Sequence, residues 1–151
     1  MATNVVSVLN DLIETSKDGE KGFRKAAEDA HDAQLKTMFL SRAEDCMCGA
    51  RELHDVVQGG LGGKPETGGS MSGALHRGWV DVKSAVTDRS DQEILAECEK
   101  GEDVAKKRYH DALEKDLPLD VRSVVERQYQ GMLQNHDRVR NLRDQYAAAR
   151  R

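Results

Sequence analysis

Apolar residues recur at spacings of three and four along most of this chain, the period of a helix with one buried face. From about Asn4 to Ala30 the positions are Val5, Val8, Leu9, Leu12, Ile13, Phe23 and Ala27. From Asp32 to about Gln58 they are Leu35, Met38, Phe39, Ala43, Cys46, Ala50, Leu53 and Val57. A third run, from about Asp91 to Lys115, carries Leu95, Cys98, Ala105, Tyr109 and Leu113. A fourth, from about Asp120 to Tyr146, carries Val121, Val125, Met132, Val139, Leu142 and Tyr146, with Gln128 in the same stripe. Thr3 or Asn4, Asp32, and Asp88 or Ser90 stand where a short polar side chain caps a helix start. Pro118 ends the third run, because it has no N–H to continue the ladder.

Between the second and third runs the pattern breaks. Residues 59–69 hold six glycines and Pro65, which excludes regular structure there. A short amphipathic helix is expected over 70–86, with Leu75, Trp79, Val82 and Val86 on one side and Trp79 covering an end or side of the molecule. Residues 147–151 are expected to fray. Only short turns separate the first run from the second and the third from the fourth, so each pair reads as an antiparallel hairpin. Two hairpins joined by about 30 intervening residues predict an all-α, ferritin-like four-helix bundle forming one domain over 1–151.

Composition agrees with long helices: 33% of residues are charged, two are proline and only 4% are aromatic. The net charge of -4 argues against nucleic acid as the main partner. From Leu119 onward seven arginines against four acids give +3, but the signs alternate, as on a solvated helix face. No apolar run is long enough to span a bilayer, and no export signal is visible, so the expected compartment is the cytoplasm. Cys46, Cys48 and Cys98 read as buried, reduced thiols, the first two facing different directions on one helix.

The candidate chemistry lies in carboxylates at positions where aliphatic residues would be expected. Glu20 is in step with the stripe of the first run and Glu102 with that of the third. A buried carboxylate is costly unless it is paired, protonated or bound to a cation. A di-iron or di-manganese centre draws one glutamate from each of two helices and a Glu-x-x-His pair from each of the other two. Here the single glutamates are present, but the pairs are incomplete. Helix two offers Glu52, with His54 off its face, and helix four offers His136 with Leu133 where its glutamate would stand. The one Glu-x-x-His, Glu28 to His31, falls at the end of helix one and reads as exposed, while Glu99 reads as facing water near Lys100. Three readings stay open: a full two-metal site, a weaker metal site of Glu20, Glu52, Glu102 and His136, or a polar layer. In the last, the inward Arg42 with Gln128, Tyr109 or His136 satisfies the acids.

Several short motifs together resemble an uncharacterised bacterial family of ferritin-like four-helix-bundle proteins of similar length. They are Leu9-Asn10-Asp11-Leu12-Ile13-Glu14, Asp18-Gly19-Glu20-Lys21-Gly22-Phe23, Gly73-Ala74-Leu75-His76-Arg77-Gly78-Trp79, Glu99-Lys100-Gly101-Glu102-Asp103 and His136-Asp137-Arg138-Val139. The resemblance implies the bundle fold and a cytoplasmic, stress-associated setting, and it carries Glu20, Glu52, Glu102 and His136 over as candidate ligands for iron or manganese. It assigns no reaction. The expectation is a self-associating helical protein rather than an enzyme, with a di-metal oxidoreductase or iron-handling protein as the alternative. A small-ligand carrier, suggested by the glycines flanking Glu20, is a third.

Overall fold

The computed structural model describes residues 4–60 and 90–149. These residues are helical apart from short turns and contain no strand. Four long helices account for them: α1 (Val5–Asp29), α2 (Ala33–Asp55), α3 (Asp91–Leu113) and α4 (Leu119–Ala149). A π-helical turn, Val56–Gly60, continues α2 into the first of the glycines. The rest of the glycine-rich stretch, the helix expected over 70–86 with Trp79, and the chain end at 150–151 lie outside the described residues. No described helix is long and apolar enough to cross a membrane.

The helix starts follow from local chemistry. Asn4 Oδ1 accepts from the Ser7 N–H, and Asp32 Oδ1 accepts from those of Gln34 and Leu35. Ser90 Oγ accepts from the Glu93 N–H and donates to the Glu93 carboxylate. After α3 the guanidinium of Arg122 donates to the carbonyls of Leu113 and Lys115, meeting acceptors that a helix end leaves open. α4 runs three residues past the Tyr146 end expected from the pattern, because Ala147 to Ala149 are strong helix formers.

The helices pack as a bundle in which α1 lies along α2, α3 along α4, and α1 along α3. The fourth edge, between α2 and α4, is nearly bare of close backbone contact. The Asp91 carboxylate accepts from the backbone N–H groups of His31 and Asp32, which fixes the start of α3 at the α1–α2 turn. Two apolar clusters, each fed by all four helices, make the core. One holds Phe23, Leu35, Phe39, Ile94, Leu95 and Val139; the other holds Leu9, Leu12, Leu53, Tyr109, Val121 and Val125. Polar side chains occupy the waist between them.

Gly19 marks a close approach of α1 and α2. A Cβ there would sit 3.0 Å from Cys46 Sγ. Alanine gains about 1 kcal/mol over glycine inside a helix, but here Cys46 has to move. Gly19→Ala is therefore expected to leave stability nearly unchanged, while in a Cys46→Ala background it stabilises by about 1 kcal/mol. Urea unfolding of the four proteins checks this; an equal gain in both backgrounds means the contact is not limiting.

Candidate functional site

The waist is built from two connected sets of polar groups. In the first, Ser16 Oγ on α1 lies 3.1 Å from the Tyr109 hydroxyl on α3. That hydroxyl donates to Gln128 Oε1 on α4 at 2.7 Å. The Gln128 amide donates in turn to the Gly49 carbonyl and the Glu52 carboxylate on α2. Arg127 donates to the other Glu52 oxygen. One chain of hydrogen bonds thus touches every helix. Tyr109 is fully buried, and burial pushes its hydroxyl well above the usual phenol range.

The second set surrounds a buried ion pair. Arg42 Nη2 on α2 lies 3.2 Å from Glu102 Oε2 on α3, and the two side chains are 8% and 3% exposed. Arg42 Nη1 also donates to Asp45, and its guanidinium lies over the Phe23 ring, 5.3 Å from the centroid. Burial raises the Glu102 carboxyl above its ordinary range, while Arg42 and, more weakly, His136 oppose that rise. Arg42 Nε and Glu102 Oε1 are both buried without a hydrogen-bond partner. His136, 9% exposed, joins α4 to α3 through Asp103 at 2.6 Å. Burial also pushes the Cys46 thiol up to about 12 and the Cys98 thiol well above the usual range, which makes both poor nucleophiles.

These contacts locate the four candidate metal ligands. Glu102 is buried as expected, held by Arg42. Glu20 is not in the core: it is 23% exposed, takes both Nε and Nη2 of Arg24, and borders a surface groove with Lys17, Met47, Arg51 and His54. The reason is that the buried face of α1 is centred on Ser16, Gly19, Phe23 and Ala26, one residue round the helix from Glu20. Glu52 is held by Arg127 and Gln128, and His136 by Asp103. Among the described residues no three of the four candidates' ligand atoms converge within 4.8 Å, and a cation or amide of the protein holds each of the three carboxylates. The one described group whose ligand atoms converge within 4.8 Å is His110, Asp111 and Glu114, all exposed on one stretch of chain.

Other expectations are corrected in the same way. Glu99 does not face open water; its carboxylate is largely covered and paired with Arg143. Cys48 is exposed, whereas Cys98 is buried and Cys46 half-buried; all three are free thiols. Glu28 is exposed, as read. Arg127 and Arg143 were not singled out by the sequence. Their reach across to another helix is invisible to periodicity, which reports the direction of a side chain's root and not where a long one ends.

Residues 4–115 match a family model described as a domain of unknown function, DUF2383. The match spans α1 to α3 and ends before Gln128 and His136. No curated protein matches the chain.

Proposed function

The chain belongs to that family, and on this premise we propose that it is a non-enzymatic, ferritin-like bundle whose waist is stabilised by ion pairs in place of a metal centre. In this reading its α1–α2 and α3–α4 pairs are antiparallel hairpins. It works by association with copies of itself, in the cytoplasmic, stress-associated setting that the motif resemblance implies. The observation carrying the first part is the Arg42–Glu102 pair: a guanidinium on the most buried candidate ligand supplies the positive charge that a metal would otherwise supply. The position of Asp91 at the α1–α2 turn supports a long connection between hairpins, as ferritin-like topology requires.

Anaerobic titration with ferrous or manganous ion, followed by air, tests the waist. The expected result is no stoichiometric binding and no oxidation signal that depends on Glu102. Tight binding of one or two ions, lost in Glu102→Gln and Glu52→Gln, overturns the reading in favour of the metal site. Light scattering at micromolar concentration tests association, and a strict monomer removes that part alone.

A further inference from the structure

The nearly bare α2–α4 edge opens as a cleft of about 780 Å³, within the range of small-ligand sites. Its apolar strip is made by Leu35 and Met38 from α2 and Leu142 and Tyr146 from α4. Arg42 is shared with a second, smaller cavity of about 300 Å³ that reaches the Tyr109–Gln128 network. The charges around the cleft are unequal in what they leave over. Arg42 is engaged by Glu102 and Asp45, and Asp137 by Arg140 at 2.9 Å. Arg138, which also lines the cleft, makes no ion pair or hydrogen bond among the described residues. The cleft therefore offers an apolar strip, in which Met38, Leu142 and Tyr146 are half-buried and Leu35 is buried beneath them, and one guanidinium that is uncommitted among the described residues. At its inner wall stands Arg42, more than nine-tenths buried, with Nε lacking an acceptor.

We infer that this cleft binds an amphipathic monocarboxylate, a molecule with an unbranched apolar body and one anionic head. The body lies on the Leu35, Met38, Leu142 and Tyr146 strip, and the head meets Arg138. A dianion is disfavoured, because only one cation is uncommitted. A cationic amphiphile is disfavoured by that same charge, since among the described residues the one carboxylate lining the cleft, Asp137, is already paired with Arg140. The carboxylate is held by charge-assisted hydrogen bonds, which a guanidinium can make in pairs. This assignment does not depend on the absence of a metal centre, since the head group is met by Arg138 and not by Arg42 or Glu102.

Calorimetric titration of the full chain with decanoate, below its micelle concentration, tests this. Butyrate and decylammonium are the controls. Expected are saturable one-to-one binding of decanoate, much weaker binding of butyrate, and none of decylammonium. Arg138→Gln should weaken decanoate binding about tenfold or more, Arg138→Lys should restore part of it, and Lys107→Gln should leave it unchanged. Arg138 is on the surface, so these variants keep the fold, which circular dichroism verifies. Absence of saturable decanoate binding, equal binding of decylammonium, or indifference to Arg138→Gln overturns the inference.

Discussion

Arg42→Met is expected to destabilise the protein by about 3–5 kcal/mol, the cost of leaving a buried carboxylate without its partner. Methionine follows much of the arginine stem, so lost packing is a minor part of the effect. Glu102→Leu alone strands the guanidinium instead, although Asp45 still holds Arg42 and reduces that loss. The double variant Arg42→Met/Glu102→Leu should return to within about 1 kcal/mol of the wild type or exceed it, since well-packed apolar replacements of buried pairs are often neutral or stabilising. Chemical denaturation of the three variants decides: a double variant as unstable as the sum of the singles contradicts the pairing.

The same experiment has a pH signature. Burial raises the Glu102 carboxyl in the folded state. Between its ordinary value and that raised one, the folded protein binds a proton that the unfolded chain has released. Stability from this group is thus lost as pH rises through that window. Arg42 narrows the window by favouring the carboxylate, and Arg42→Met widens it upward. The penalty of Arg42→Met should accordingly be larger at neutral pH than near pH 4, roughly the ordinary carboxylate range. A penalty that grows on acidification sinks this account.

The second large effect concerns Tyr109. Tyr109→Ala should cost about 3–5 kcal/mol, because the largest fully buried side chain among the described residues leaves a cavity between α1, α3 and α4. Tyr109→Phe keeps the ring and removes only the hydroxyl between Ser16 and Gln128. Its cost should be about 1–3 kcal/mol, since Gln128 retains Gly49 and Glu52 while its carbonyl loses a donor. The gap between the two variants measures the ring. Guanidinium unfolding that finds them equal would mean that the hydroxyl, and not the packing, holds this part of the waist.

Much of this arrangement is written in the chain. Spacing alone puts Arg42, Glu102 and Tyr109 on inner faces, and Asn4, Asp32 and Ser90 at helix starts. Glu20 shows where such reasoning loses resolution. At 100° per residue a position on the flank of a wide stripe cannot be told from one at its centre, and the centre here is Gly19, a residue that carries no hydropathy signal. α4 shows another limit. Its pattern names Met132, Leu142 and Tyr146 as inward, yet they are only half-buried, because α2 stands away from them. Periodicity records which face of a helix is apolar and not how closely a neighbour covers it. Arg42 is one of four residues that spacing offers as partners for the inward acids; which of them meets Glu102 depends on how α2 and α3 are set against each other, and there it is Arg42.

The division of the core into two greasy blocks has a further consequence. Aliphatic layers tolerate exchange, so a helix in a uniform bundle can slide by one turn, about 5.4 Å, and find contacts nearly as good. Here such a slip of α4 would bring Val125 or Met132 opposite the Tyr109 hydroxyl and separate His136 from Asp103. Each misplaced polar group would be buried without a mate, so alternative alignments are penalised more than the native one is favoured. The belt of hydrogen-bonding groups acts as a ratchet pawl, holding the four rods at a single axial setting.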